Sequence, residues 1–127
     1  MNSGRILVVE DNVLNLKLVR DVLQVAGFEV IEATTGEQGI MLAIEGRPDL
    51  ILMDLQLPGI DGSEALRAIR QDPRTTAIPV VAVSAFAMKA DRERALREGF
   101  DGYLEKPISI RALPGQVGGF LKAAADE

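Results

Sequence analysis

The sequence contains no cysteine and no histidine. Without cysteine it can form neither disulfides nor thiolate metal sites. Without histidine it can hold no Ser-His-Asp triad, no histidine-ligated zinc and no phosphohistidine of its own. Aromatic residues are also scarce, at 4% of a chain that is 47% hydrophobic, so the core must be built from aliphatic side chains.

The chain also lacks an excess of positive charge and long hydrophobic runs. Its 14 basic and 19 acidic residues give a formal net charge of −5, which argues against nucleic acid or an anionic membrane as a partner. Its apolar runs are far shorter than the ~20 residues that span a bilayer. Residues 1–5 show no signal-peptide pattern, so the expected location is the cytoplasm.

Short apolar runs alternate with longer amphipathic segments along the chain. The predicted strands are residues 6–9, 29–33, 50–53, 80–83 and 103–105, and the predicted helices are 14–26, 35–45, 61–71, 89–98 and a last one from about 109. Purely apolar strands alternating with helices indicate a parallel sheet covered on both faces. We therefore predict an α/β fold, a doubly wound, flavodoxin-like (βα)5 sheet of five parallel strands in the order 2-1-3-4-5. The expected organisation is a single domain over residues 1–127, with its core at about 4–122 and no output domain.

Two helices carry specific expectations. In the first, Leu14, Leu18, Val22 and Val25 follow helical spacing, and Gly27 is a fitting end of the helix. In the last, Pro114 cannot donate to the carbonyl four residues earlier, and three glycines, at 115, 118 and 119, weaken the helix further. We expect that helix to be kinked or to begin late, near Pro114.

Polar residues follow four of the five predicted strands. They are Glu10-Asp11 after the first, Asp54 after the third, Ser84 after the fourth and Lys106 after the fifth. Each has a local explanation as well: a helix start, a structural cap, a loop hydroxyl and a surface lysine. In an open parallel sheet, however, these strand ends meet at one edge, where ligands bind.

Three carboxylates at one edge would repel one another and need a cation. Oxygen ligands of this kind suit Mg²⁺, which takes one or two carboxylates together with a phosphate oxygen. A lysine could pair with a phosphoryl oxygen, and a serine hydroxyl could donate to another. The combination predicts a phosphoryl-transfer site with a carboxylate nucleophile, Asp54.

The ordered motifs resemble the receiver domains of two-component signalling. They are Val8-Val9-Glu10-Asp11-Asn12, Leu52-Met53-Asp54-Leu55-Gln56-Leu57-Pro58-Gly59, Asp61-Gly62, Ser84-Ala85 and Lys106-Pro107. The resemblance implies that Asp54 accepts a phosphoryl group from a partner's phosphohistidine, with Ser84 and Lys106 contacting that group. It implies Mg²⁺ ligation by Asp11, Asp54 and the backbone carbonyl of Gln56, with Glu10 acting through water. It further implies a switch at Ser84 and Tyr103 and a cis Lys106–Pro107 bond.

Two longer segments narrow the resemblance. Residues 10–18 and residues 78–89 are similar to DivK-like single-domain regulators and to receivers attached to hybrid histidine kinases. The implied partners are a histidine kinase or histidine phosphotransfer protein and a downstream signalling protein, with the chain a monomer or weak dimer. The implied output face is formed by the fourth helix, fifth strand and fifth helix, and the irregular last helix puts its usual form in doubt.

Other functions of the same architecture fit less well. A haloacid-dehalogenase-like phosphatase needs a second aspartate where this chain has Gln56, so separate enzymatic turnover is not expected. A flavin-binding module needs a hydroxyl-rich loop after the first strand, where Glu10 and Asp11 would repel phosphate. A phosphorylation-independent binding module with a receiver fold stays open, as does the receiver portion of a hybrid histidine kinase.

Overall fold

A computed structural model describes residues 4–86 and 88–126, in which five strands alternate with five helices. The elements are β1 (Arg5–Val9), α1 (Val13–Val25), β2 (Glu29–Ala33), α2 (Gly36–Gly46), β3 (Leu50–Asp54), α3 (Gly62–Gln71), β4 (Val80–Ser84), α4 (Lys89–Glu98), β5 (Gly102–Glu105) and α5 (Leu113–Ala125). Ala87 of the family-like segment, and residues 1–3 and 127 of the expected domain, lie outside the described part. Within that part, no helix is long and apolar enough to cross a membrane.

The five strands form one parallel sheet in the order β2-β1-β3-β4-β5, which confirms the predicted topology. Its register aligns the carboxyl ends of the strands. Val9 pairs with Met53, Asp54 with Val83, and Ser84 with Glu105. The residues that follow β1, β3, β4 and β5 therefore emerge at one edge of the sheet.

Helices cover both faces of the sheet and divide the core into two layers. Along β3, Leu50 and Leu52 point to the layer that holds α1 and α5, whereas Ile51 and Met53 point to the layer that holds α2, α3 and α4. All five residues of β3 and all five of β4 are buried. Burial on both faces explains why these strands are continuous apolar runs in the sequence.

The predicted first helix is confirmed, but most of the apolar residues that identify it in the sequence are not the ones it buries. The side chains that pack on the sheet are Leu16, Val19 and Leu23, whereas Leu14 is 78% exposed and Val25 is 89% exposed. The helix carries two apolar stripes that both satisfy helical spacing, so periodicity alone could not select between them. The helix begins at Val13, capped by the side chain of Asn12, and packing against the sheet turns the Leu16 stripe inward.

The late start predicted for the last helix is confirmed. α5 begins at Leu113 with Pro114 in its first turn, where the missing N–H costs nothing. The preceding residues form a turn in which Ser109 Oγ accepts the N–H of Ala112 at 3.1 Å. Proline thus sets the start of the helix and does not kink it.

Two glycine substitutions in this region are expected to have opposite effects. A Cβ at Gly119 would meet nothing within 4 Å, so Gly119→Ala should stabilise the protein by up to about 1 kcal/mol through helix propensity. A Cβ at Gly102 would lie 2.5 Å from Phe120 Cε1, so Gly102→Ala should destabilise it by about 1–3 kcal/mol. Urea unfolding of both variants measures the difference, and equal effects would contradict the packing described for Phe120.

Candidate functional site

Three carboxylates meet at the carboxyl edge of the sheet. Glu10 follows β1 and is buried, held by its N–H bond to the carbonyl of Ala33 at 3.0 Å, while the neighbouring Asp11 is exposed. Asp54 ends β3 and is only 2% exposed. Glu10, Asp11 and Asp54 each offer an oxygen, and these oxygens lie within 4.8 Å of one another. The strand register thus brings together residues that are 44 positions apart in the chain.

Lys106 lies against the buried side of this cluster. Its Nζ is 2.7 Å from Asp54 Oδ2 and 2.8 Å from Glu10 Oε1. Its backbone N–H donates to the carbonyl of Ser84 at 2.8 Å, which ties the loop after β5 to the end of β4. The Lys106–Pro107 peptide bond is cis, as the resemblance implied.

Burial and hydrogen bonding shift the pKa values of both Glu10 and Lys106. Burial, followed by a hydrogen bond with Asp54, raises the pKa of Glu10 to about 6, even though Lys106 opposes the shift. Burial lowers the pKa of Lys106, but its hydrogen bonds with Asp54 and Glu10 outweigh that effect and raise the pKa above its ordinary value. The lysine is therefore held as a cation, while the carboxylates still exceed it in charge.

The backbone around Asp54 is closely packed. The N–H of Gln56 donates to Asp54 Oδ1 at 2.9 Å, so the peptide of Gln56 lies beside the carboxylate cluster. α3 starts next to this turn through a capping box between Asp61 and Glu64. A Cβ at Gly62 would lie 2.6 Å from the carbonyl oxygen of Asp54, so only glycine permits this close approach.

Ser84 is fully buried at the end of β4 and belongs to a chain of hydrogen bonds. Its Oγ accepts from the side-chain amide of Gln56 at 3.1 Å and from the N–H of Phe86 at 3.1 Å. The carbonyl of Phe86 in turn accepts the hydroxyl of Tyr103. The guanidinium of Arg92, on α4, lies 5.7 Å from the centre of the Tyr103 ring.

Sequence reasoning missed two members of this arrangement. Gln56 was proposed only for its backbone carbonyl, and its side-chain contact with Ser84 spans 28 positions of sequence, which no local pattern reveals. Arg92 was predicted only as a residue of the helix at 89–98, whereas in the structure it also pairs with Glu105 at 2.7 Å. Both contacts depend on how β3, β4, α4 and β5 are placed relative to one another.

The donor set fits a hard divalent cation. Three carboxylates with one lysine leave an excess of negative charge, and oxygen ligands are those Mg²⁺ prefers. Asp11 is exposed, so the cluster is open to solvent on one side. This partly hydrated environment suits Mg²⁺, which usually retains several waters.

A cavity of about 330 Å³ adjoins the cluster on its other side. Its polar wall includes Glu10, Asp54 and Lys106, and apolar side chains such as Val19 and Leu113 line the rest. Apolar walls lower the local dielectric and strengthen the contacts of Lys106 with its two carboxylates. The cluster therefore lies between a mostly apolar cavity and the solvent-exposed side chain of Asp11.

Comparisons with known proteins agree on one family. The family model described as the response regulator receiver domain matches residues 6–117. The polar-differentiation response regulator DivK of Brucella anthropi is 48% identical over 105 residues, which cover 83% of this chain and 85% of that protein. The DivK of Brucella ovis is 47% identical over the same coverage.

Solved structures give the same result. A CheY-like receiver domain protein from Methanospirillum hungatei JF-1 matches with a TM-score of 0.85 at 27% identity, over 98% of each chain. The receiver domain of the sensor histidine kinase PA1611 from Pseudomonas aeruginosa PAO1 is 34% identical, with a TM-score of 0.85 over 95% of this chain and 99% of that one. That structure has a magnesium ion coordinated in its active-site cleft.

Proposed function

Because this chain belongs to the response regulator receiver family, we propose that it is a phosphorylation switch whose phosphoryl acceptor is Asp54. The observation that carries the proposal is the cluster at the sheet edge. Two other carboxylates lie beside Asp54 and can hold Mg²⁺ with it. The Nζ of Lys106 is 2.7 Å from Asp54 Oδ2. Proteins of this family act in signalling, and no separate catalytic activity is proposed.

The proposed step is transfer of a phosphoryl group from a partner's phosphohistidine. A carboxylate oxygen of Asp54 attacks phosphorus in line with the leaving nitrogen, so a P–O bond forms as the P–N bond breaks. The imidazole leaves with the electron pair of the broken bond and takes up a proton from solvent. The product is an aspartyl phosphate and a free histidine on the partner.

The neighbouring residues have separate roles in this proposal. Lys106 moves its contact from Asp54 to a phosphoryl oxygen, and Ser84 donates its hydroxyl to another. Asp11, Asp54 and the backbone carbonyl of Gln56 would hold Mg²⁺, with Glu10 acting through water. When bound, Mg²⁺ neutralises the charge that develops on the phosphoryl oxygens.

The proposed output is protein binding. Phosphorylation draws Ser84 toward the phosphoryl group, Tyr103 turns inward, and the face of α4, β5 and α5 changes for a downstream protein or a phosphotransfer partner. We propose that residues 1–127 form one receiver domain, in line with the similarity to DivK. The similarity to the receiver of a sensor histidine kinase supports a second candidate, the receiver portion of a hybrid kinase, which would use the same chemistry.

The proposal is tested by incubating the protein with acetyl phosphate, with and without Mg²⁺. We expect the mass of one phosphoryl group to appear only with Mg²⁺, on a peptide that contains Asp54, and to be released by hydroxylamine as an acyl phosphate. A protein that stays unlabelled in both conditions would instead favour a binding module that works without phosphorylation.

A further inference from the structure

We infer that the side chain of Gln56 is a latch that holds Ser84 in its resting position and so sets how readily the switch turns on. The inference rests on the proposed function and deepens it, because it assigns Gln56 a positioning role separate from its backbone carbonyl. It concerns the resting state, in which Ser84 has not yet moved toward Asp54.

The side chains of Gln56 and Ser84 are in direct contact. The amide nitrogen of Gln56 lies 3.1 Å from Ser84 Oγ, and its amide oxygen lies 3.4 Å from the same atom. Ser84 is fully buried and Gln56 is exposed, so the amide reaches in from the surface to a hydroxyl that solvent does not touch. Gln56 therefore supplies a partner that water cannot readily replace.

Ser84 is connected to Tyr103 through the backbone of Phe86. The Phe86 N–H donates to Ser84 Oγ at 3.1 Å, and the Phe86 carbonyl accepts the hydroxyl of Tyr103. Hydrogen bonds to both sides of the Phe86 backbone thus connect Gln56 and Ser84, at the acceptor site, to Tyr103 on β5. A contact that holds Ser84 at rest therefore also restrains Phe86, the residue whose carbonyl Tyr103 binds.

Gln56 opposes the movement of Ser84 that activation requires. In the proposed switch Ser84 Oγ moves toward a phosphoryl group on Asp54, and that movement has to break its present contact with the Gln56 amide nitrogen, 3.1 Å away. A hydrogen bond of this kind contributes a net 0.5–1.5 kcal/mol, roughly a two- to tenfold bias toward the resting state. Since a phosphoryl group must bind the minor, released population, its apparent affinity falls by the same factor.

The chain contains its own probe for this effect. Tyr103 is the only tyrosine and there is no tryptophan, so intrinsic fluorescence reports this one side chain. Beryllofluoride with Mg²⁺ serves as a non-covalent phosphoryl mimic in a titration followed by Tyr103 fluorescence. We expect Gln56→Ala to lower the apparent dissociation constant about two- to tenfold relative to wild type, with a greater share of active-like Tyr103 signal before addition.

The control substitutions separate a latch from a general effect. Gln71→Ala removes an exposed amide at the end of α3 and should leave the titration unchanged. In a Ser84→Ala background, Gln56→Ala should add nothing, because there is no hydroxyl left to hold. If Gln56→Ala tightened binding equally in both backgrounds, Gln56 would only obstruct access to the site, and the latch would be wrong.

A second measurement works without any phosphoryl mimic. Gln56→Ala should speed hydrogen exchange at the Phe86 amide about two- to tenfold. The Phe86 N–H donates to Ser84 Oγ, which is less firmly held when the Gln56 side chain is removed. If wild type binds beryllofluoride but Gln56→Ala changes neither the affinity nor the exchange of the Phe86 amide, the latch is wrong and the proposed function stands. Wild type that neither binds the mimic nor accepts a phosphoryl group overturns the proposed function, and the latch fails with it.

Discussion

Asp54→Asn is expected to abolish phosphoryl labelling while the protein stays folded. An amide has no anionic oxygen to attack phosphorus, so no acyl phosphate can form at this position. The substitution keeps the shape of the side chain and an oxygen for the Gln56 N–H, which now lies 2.9 Å from Oδ1. Intact-mass measurement after incubation with acetyl phosphate and Mg²⁺ checks the labelling, and urea unfolding checks the fold.

Asp21→Asn is the matched control for this result. Asp21 is an exposed carboxylate on α1 that pairs with its neighbour Arg20 at 3.0 Å, away from the carboxylate cluster. Its neutralisation should leave labelling at the wild-type level. Equal labelling of wild type and Asp54→Asn would show that the phosphoryl group goes elsewhere, and the assignment of Asp54 as acceptor would be lost.

Magnesium is expected to stabilise the folded protein, and Asp11→Asn should remove most of that stabilisation. An ion that binds only the folded state adds RT ln(1 + [L]/Kd), which is about 2.7 kcal/mol at a concentration 100 times the Kd. Burial, and to a smaller extent the neighbouring Asp54, raises the pKa of Glu10, so a bound cation would stabilise its charged form. Thermal unfolding of both proteins across a Mg²⁺ titration measures the effect.

The controls for this prediction concern ionic strength and general charge. Na⁺ at matched ionic strength should give a much smaller shift, and Asp21→Asn should keep the full response to Mg²⁺. Asp11 is exposed, so Asp11→Asn alone should change the stability of the metal-free protein little. A full Mg²⁺ response in Asp11→Asn would place the ion away from the cluster.

Much of the fold could be predicted because local patterns and global topology agree. The apolar runs that became β3 and β4 are buried on both faces, and Pro114 and Gly99 mark a helix start and a helix end. The sequence could not show which face of α1 packs on the sheet, because apolar residues at helical spacing follow both Leu14 and Leu16. Only packing against the sheet selects one of them.

The candidate site, too, could be predicted from the sequence only in part. Strand ends identified the positions of Glu10, Asp54, Ser84 and Lys106, because parallel strands bring their carboxyl ends to one edge. The functional roles of these residues stay predictions that the experiments above address. The side-chain contact between Gln56 and Ser84 was beyond sequence reasoning, because it depends on side-chain direction within a turn.

The most direct test of the central claim is a crystal structure of the protein soaked with Mn²⁺, whose anomalous scattering locates the ion. We predict one strong peak at the sheet edge, within ligand distance of carboxylate oxygens from both Asp11 and Asp54 and of the Gln56 carbonyl. A fully occupied ion that contacts only one of these aspartates, or an edge without a peak while Mn²⁺ binds elsewhere, would contradict the account.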